Sequence, residues 1–377
     1  MTGGELSGGI LMTMLRPSQG GADRVAVLLA NGFVRAGIPT GIFLLREDGE
    51  GREALVRLLD PAVILRSAGP SLGSRHLDLL RGVSAIRHET SRSRPALVLA
   101  SSNNMGLVTG LAARPLLPDA PRYAMKVTNP VIRPRDLGPV LRIYRHQLYG
   151  HIFSRYERIL TLTAAERERL SGMYPRKSEQ FVTVPNPYVS SAMLKTPCSE
   201  PPFPMILALA RMMPQKRLDR LLRAFAMINC AEARLVILGD GPGRPHLERL
   251  ARALGIAERT EMPGFVEDVL PWLRRASVYA LSSDYEGLPA VVLEALACGV
   301  PVVTTDCFDG AAALLSEAPG CSVVPRRDVV SLARGIDIGL AAKRAPENLR
   351  AIARGYGVDL SIAAHIEALR PLLAANR

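Results

Sequence analysis

Asp284-Tyr285-Glu286-Gly287-Leu288-Pro289-Ala290-Val291-Val292-Leu293-Glu294-Ala295-Leu296-Ala297-Cys298-Gly299-Val300-Pro301-Val302-Val303 is the stretch on which the reading of the chain turns. The apolar run Ser277–Leu281 precedes it. Pro289 stands where a helix tolerates proline in its first turn, and Gly299 ends that helix before a second run, Pro301–Thr305. Strand, helix and strand in so short a span make one βαβ unit. Outward from it, runs at Met205–Ala210, Arg234–Leu238, Arg259–Met262 and Cys321–Val324 alternate with helical patterns at Pro214–Ile228, Arg244–Leu254 and Ala290–Cys298. That alternation predicts a parallel sheet covered on both faces. The first half repeats the scheme less regularly, with strand candidates at Gly9–Met14, Thr40–Leu45, Ala62–Leu65, Ala96–Ala100, Tyr123–Val127, Arg158–Thr161 and Phe181–Val184. Between the halves, Pro185-Asn186-Pro187 through Pro197, Pro201, Pro202 and Pro204 is proline-rich and aperiodic, and reads as a linker.

The 377 residues suit two domains, at roughly 150–200 residues each. The expected class is therefore α/β, with two doubly wound domains, residues 1–194 and 195–357, whose strand carboxyl ends face a common cleft. Hydrophobic residues at 48% and charged residues at 22% exclude disordered and fibrous classes. Cys198, Cys230, Cys298, Cys307 and Cys321 are odd in number and lack metal-ligand spacing, so neither a disulfide framework nor a zinc site is expected, and a reducing compartment fits. The start, Met1 to Leu15, has no basic segment before its short apolar run, and no run of about 20 apolar residues occurs. The expectation is a cytoplasmic protein.

The chemistry concentrates where that helix begins. Free amides at Gly287 and Leu288, with the positive end of the helix dipole, suit a phosphate or diphosphate. Glu294 lies five residues beyond Pro289, roughly 7 Å along a helix axis, which suits ribose hydroxyls when a diphosphate occupies the helix mouth. Glu286 projects from the loop toward the far end of such a group. Taken without that context, both are a solvated loop acid and a helix-face charge. Arg211 and Lys216, flanking another helix start, can neutralise a leaving diphosphate without a metal. Asp284-Tyr285-Glu286 is a near miss to a metal-binding acidic pair, but its place before a helix mouth favours direct organic contacts.

Glu286 and Glu294 in E-x7-E spacing, followed by Ala295 to Val303, resemble the signature of retaining glycosyltransferases of family 4, which have the GT-B fold of two facing Rossmann-like domains. Leu207–Leu222, Leu235–Pro242 with its GxGP turn, and Pro263-Gly264-Phe265-Val266 resemble further family segments in the family's order, all within residues 205–305. Pro17–Ala30 resembles its first loop, in which Gly20 and Gly21 open a helix and let a donor phosphate or an acceptor approach. The resemblance implies a nucleotide-diphosphate sugar of UDP or GDP type as donor and no metal or other cofactor. It implies diphosphate contacts from Arg211 and Lys216, ribose contact from Glu294, sugar contact from Glu286, base contact from backbone near Val266, and transfer with retention. It also implies a last helix, about 358–377, returning to the first domain. Gly239 and Gly241 are read as turn formers. Many relatives carry a histidine after the strand at Tyr123–Val127; here Lys126-Val127-Thr128-Asn129-Pro130 stands instead, leaving Asn129 or Lys126 for that contact.

The net charge of +12 is uneven: residues 1–200 hold 26 Lys/Arg against 16 Asp/Glu, and residues 201–377 hold 21 against 19. An anionic partner for the first half follows, be it a membrane surface, a lipid phosphate or nucleic acid. Residues 130–160 contain six arginines and two acids, with Leu141, Tyr144, Leu148, Ile152 and Tyr156 at helical spacing, a stripe that either packs inward or lies on an anionic membrane. His146 and His151 read as surface or packing residues. Aromatics at 5% and the lack of any nucleic-acid motif argue against a nucleic-acid module. The expectation is a glycosyltransferase acting on a saccharide or lipid-linked acceptor, peripheral on the inner face of the cytoplasmic membrane; a GT-B epimerase or phosphorylase is the alternative.

Overall fold

Buried strands with both faces covered read as continuous apolar runs, and each of the thirteen runs above falls on a strand. The computed structural model describes residues 6–17, 20–49, 51–113, 120–132, 138–195, 197, 202–343 and 345–374; Ser18, Gln19, Arg133, Arg135, Cys198 and Pro201 lie outside them. The chain clusters into two compact units, Met1–Pro187 with Val358–Arg377, and Tyr188–Gly357. In the first unit, β1 (Ile10–Met14), β2 (Thr40–Leu44), β3 (Ile64–Ser67), β4 (Leu97–Ala100), β5 (Arg122–Lys126), β6 (Arg158–Thr161) and β7 (Phe181–Thr183) form a parallel sheet among the described residues, ordered β3-β2-β1-β4-β5-β6-β7. In the second, β8 (Met205–Leu209), β9 (Arg234–Leu238), β10 (Thr260–Gly264), β11 (Val278–Leu281), β12 (Val302–Thr305) and β13 (Ser322–Val324) form another, ordered β10-β9-β8-β11-β12-β13.

Each order reverses direction once, between β1 and β4 and between β8 and β11. At such a switch point the two following helices leave to opposite faces, and the loops at the strand carboxyl ends part to make a crevice. All residues of sequence interest near β8 and β11 therefore share one sheet edge.

Three expectations are corrected. The crossing between units lies at Pro187/Tyr188, ahead of the 194/195 joint, because the Tyr188 hydroxyl donates to the Leu288 carbonyl (3.0 Å) and the Val189 amide to the Tyr356 carbonyl (3.1 Å). Proline marks a break in pattern, not the place where packing changes partner. The helix expected over Pro214–Ile228 is a 3₁₀ turn, Pro214–Lys216, and a helix, Leu218–Phe225, separated by Arg217 at φ 49°. The apolar stripe of the helix Gly138–Phe153 splits: Tyr149, Ile152 and Phe153 are buried, but Leu141 and Tyr144 are exposed, and Tyr156 is buried beyond the helix end. His146 stacks on Tyr174 at 4.7 Å, a packing role.

The last helix, Val358–Ala374, clusters with the first unit. Gly32 gives it room, since a Cβ there would come within 2.6 Å of Ile362. On its inner side Lys126 Nζ meets His365 Nε2 at 2.5 Å, and His365 Nδ1 donates to the Ser361 carbonyl at 2.7 Å. Burial pushes Lys126 down to about 7 from 10.5, and burial with the Lys126 charge pushes His365 well below 6.5. Between about 7 and 10.5 the unfolded chain holds a Lys126 proton that the folded chain has lost, so stability rises with pH across that window; below about 6.5 the His365 preference for neutrality costs further stability. The melting temperature is expected to climb from pH 6 to pH 9, and Lys126→Met to flatten the part above pH 7. A scanning-fluorimetry profile that Lys126→Met leaves unchanged would contradict the assignment.

Candidate functional site

The site in the second unit is built by two loops that leave adjacent strands. After β8 the chain runs Ala210 to Arg217; after β11 it runs Ser282 to Pro289. Five bonds stitch them together. Ser282 Oγ donates to the Lys216 and Arg217 carbonyls (2.9 and 3.0 Å), the Asp284 amide to the Gln215 carbonyl (2.9 Å), and Gln215 Nε2 to the Tyr285 carbonyl (2.7 Å). The fifth is an ion pair, with Lys216 Nζ donating to Glu286 Oε1 at 2.6 Å. Two residues singled out separately in the sequence, 70 positions apart, thus meet directly.

Beneath them lies a second layer of charge. Arg220 is buried and donates to the Ser282 carbonyl and to Asp284, both at 2.9 Å. Arg217 forks onto Asp219 with two 2.9 Å bonds, and this holds the Asp219 carboxyl down at about 2. Asp284, the member of the acidic near-motif that precedes Glu286, is therefore engaged by Arg220. Among the described residues no cluster of three metal-ligating side chains occurs, and Cys230, Cys298, Cys307 and Cys321 are free thiols.

Glu286 is fixed from the other side by Ser283 of its own loop, by the end of β12 and by Cys307 just beyond it. Its amide donates to the Cys307 carbonyl (2.7 Å), Ser283 Oγ donates to Glu286 Oε1 (2.6 Å), and Thr305 Oγ1 donates to the Ser283 carbonyl (2.6 Å). Burial and the Glu286 charge push the Cys307 thiol up to about 12, so it stays protonated and inert. Next along the loop, the amides of Gly287 and Leu288 donate to no group among the described residues. They stand just ahead of the helix Ala290–Ala297, whose N-cap is Pro289, one residue later than the expected helix start. This helix is apolar on nearly all sides because the helices Ser191–Lys195 and Pro346–Arg354 cover it; its single charge, Glu294, is buried. Gly299, at φ 73°, ends it in the left-handed turn that glycine adopts without strain.

The remaining predicted residues lie farther out. Arg211 is exposed in the loop after β8, and its guanidinium bonds to no group among the described residues. Val266 is half-buried after β10, beyond β9 on the same edge. Gly239 (φ 116°) lets the β9 loop press against β8, where a Cβ would strike the Ala210 carbonyl at 2.3 Å, so its turn role is a packing necessity. In the first unit, Gly20 is the N-cap of the helix Gly21–Arg35, and a Cβ on Gly21 would meet nothing within 4 Å. Asn129 follows β5 with its backbone clamped by Asn103: Oδ1 accepts from the Asn129 amide (3.2 Å) and Nδ2 donates to its carbonyl (2.8 Å), leaving the Asn129 side chain without a partner among the described residues. Of the two alternatives at this strand end, Lys126 is spent on His365 and Asn129 is uncommitted.

Sequence reasoning passed over Ser282, Ser283, Gln215 and Arg220. Ser283 had a signal, since Ser-x-x-Glu is the spacing of a capping box; here the loop uses the same reach to grip a carboxylate. The others bond mainly to backbone carbonyls, which leaves no compositional trace.

Comparison with known proteins agrees with this frame. Residues 203–341 match the family model described as Glycosyl transferases group 1. An uncharacterized glycosyltransferase of Haemophilus influenzae is 27% identical over 184 residues, 48% of this chain and 51% of that protein. The lipopolysaccharide core biosynthesis glycosyltransferase LpsE of Rhizobium meliloti is 35% identical over 117 residues, 31% of this chain and 33% of LpsE. The matched region is thus about half the length of the first relative and a third of the second. Anabaena HepE, solved in complex with UDP and glucose, superposes with a TM-score of 0.75 at 16% identity, over 96% of this chain and 99% of that one. The fold is that of the GT-B glycosyltransferases, as the sequence implied.

Arg220 is the buried link of the loop pair, and its loss removes the guanidinium bonds to the Ser282 carbonyl and to Asp284. Arg220→Met is expected to cost about 2–3 kcal/mol in urea unfolding; a change under about 0.5 kcal/mol, the range of an ordinary surface substitution, would show that the stitch carries no stability.

Proposed function

We propose that this chain is a retaining, family-4-type glycosyltransferase. It moves a hexose from a nucleotide-diphosphate sugar to a saccharide or lipid-linked acceptor in polysaccharide, lipopolysaccharide or glycolipid synthesis. One observation carries the reading: a lysine ion-paired to a glutamate at 2.6 Å stands at the β8/β11 switch point beside two free amides at a helix mouth. The family match over residues 203–341, the name of LpsE and the ligands named for HepE support it.

In this reading Arg211, Lys216 and the Gly287 and Leu288 amides hold the diphosphate, Glu294 the ribose, Glu286 the hydroxyls of the transferred sugar, and backbone near Val266 the base. Gly20, Gly21 and Asn129 serve ligand contact from the first unit. The acceptor hydroxyl oxygen bonds to the anomeric carbon on the face the diphosphate leaves, the carbon–oxygen bond to phosphate breaks, and the departing phosphate oxygen takes the hydroxyl proton. Two cations and two amides neutralise the charge that develops there, so the chemistry needs no metal.

Thermal shift against UDP, GDP and ADP sugars is expected to select one base. With that donor, Lys216→Ala and Glu294→Ala should each lower transfer by about 100-fold or more while melting as folded proteins. Wild-type turnover in either variant would overturn the donor-site assignment, and conversion of the donor without any saccharide or lipid-linked acceptor would favour an epimerase or phosphorylase instead.

The same reading gives the first unit an anionic membrane as partner. No described helix is long and apolar enough to cross a membrane. The first two turns of the helix Gly138–Phe153 nevertheless expose Val140 (79%), Leu141 (43%), Ile143 (62%) and Tyr144 (61%), with Arg142 among them. Apolar side chains interleaved with arginine suit the interface of an acidic bilayer. Sedimentation with phosphatidylglycerol vesicles should capture the protein and fall about tenfold for Ile143→Asp; equal capture by phosphatidylcholine vesicles would count against the surface.

A further inference from the structure

We infer that Ser283 is the positioning residue that sets which oxygen of Glu286 meets the transferred sugar; this rests on the donor-site reading above. Glu286 presents two carboxylate oxygens, and the structure treats them unequally. Oε1 accepts from both Lys216 Nζ and Ser283 Oγ, each at 2.6 Å, whereas Oε2 accepts from no group among the described residues. An ionised carboxylate has acceptor sites to spare on each oxygen and no donor. Two short bonds converging on one oxygen therefore fix the rotation of the carboxylate and leave the second oxygen to receive hydroxyls.

The two partners of Oε1 differ in what they can do once donor binds. Lys216 sits on a flexible stem, a quarter exposed, and its ammonium has three protons to share. A diphosphate arriving at the neighbouring amides competes for those protons and draws the ammonium away from the carboxylate. Ser283 cannot follow. It is fully buried, and Thr305 Oγ1 donates to its carbonyl at 2.6 Å. Three residues on, the Glu286 amide is tied to the Cys307 carbonyl. The serine hydroxyl is thus the bond to Oε1 that outlasts the rearrangement. Without it the carboxylate turns with the lysine, and the sugar loses its fixed acceptor at the moment the diphosphate is gripped.

The test separates sugar from nucleotide. Titration calorimetry compares the nucleotide sugar selected by thermal shift with its parent nucleoside diphosphate, using wild type, Ser283→Ala, Ser283→Thr and Ser283→Val. Ser283→Ala is expected to keep nucleoside-diphosphate affinity within about twofold, to lose the extra affinity that the sugar supplies, and to lower kcat by about 10- to 50-fold. Deoxy donors lacking one sugar hydroxyl at a time should bind wild type more weakly but bind Ser283→Ala no worse than the intact donor. A merely structural role would not produce that loss of discrimination. Threonine, which keeps the hydroxyl, should restore it; valine, of the same shape without the hydroxyl, should not. That pair also decides the matter if the alanine variant fails to fold. Discrimination and kcat unchanged in Ser283→Ala and Ser283→Val would overturn the inference while leaving the donor site standing. Failure of wild type to bind any nucleotide sugar would overturn the donor site itself.

Discussion

An ammonium and a carboxylate held 2.6 Å apart, both largely withdrawn from water, set the terms for the second unit. Such a pair is costly to desolvate, and its attraction offsets that cost only when the geometry is good and the remaining valences are filled. Here Ser283 Oγ adds a second bond to Glu286 Oε1, the Ser282 and Gln215 side chains tie the two loops through backbone carbonyls, and the pairs Arg220–Asp284 and Arg217–Asp219 lie beneath. Stability alone would be served as well by apolar side chains. What the pair gains instead is fixed position: two side chains from loops on neighbouring strands are held in one arrangement before any ligand arrives, which is the form preorganisation takes in a site that binds charged groups.

The sheet order makes that arrangement available. β8 and β11 are neighbours because the chain lays β9 and β10 to one side of β8 and then returns to its other side. Loops that leave such neighbours in opposite directions can face each other across the strand ends without a helix between them. Compact turns are needed for this, and Gly239 supplies one by letting the β9 loop lie against the Ala210 carbonyl. The first unit shows the same logic with different chemistry. Its reversal lies between β1 and β4, and the residue that organises the edge there is Asn103, whose amide clamps the backbone of Thr128 and Asn129.

The central strands were legible because they are buried on both faces, which turns them into unbroken apolar runs such as Leu235-Val236-Ile237-Leu238, whereas β3 and the edge strand β10 are only partly buried. The helix at Ala290–Ala297 was legible because proline and glycine bracket it. What escaped depends on bonds that any polar residue of the right reach could make. The left-handed backbone at Arg217 is unmarked, since the position carries a long cation where glycine or asparagine would have announced the turn. The direct contact of Lys216 with Glu286 escaped for another reason: each residue was read against an absent ligand, and the possibility that they satisfy one another follows only from the strand order. The helix after β5 misled because its period is correct throughout, while only its second half has a core to pack against.

The charges of the proposed donor site divide into satisfied and unsatisfied groups, and the division matches the proposed roles. Lys216 is compensated by Glu286, and Arg220 by Asp284, so these pairs add little net field. Among the described residues Arg211 stands exposed without an acid, and the Gly287 and Leu288 amides are unpaired beside the end of a helix dipole. The field an approaching anion meets is therefore set by groups that need no rearrangement, and it is directed at the helix mouth. Lys216 contributes only after the anion is close enough to compete with Glu286. On the proposed function, a site arranged in this order attracts a diphosphate at long range, then exchanges one internal ion pair for contacts with the ligand. On that reading the carboxylate released from the lysine stays in place because its second anchor is the hydroxyl of Ser283, buried in the loop that follows β11.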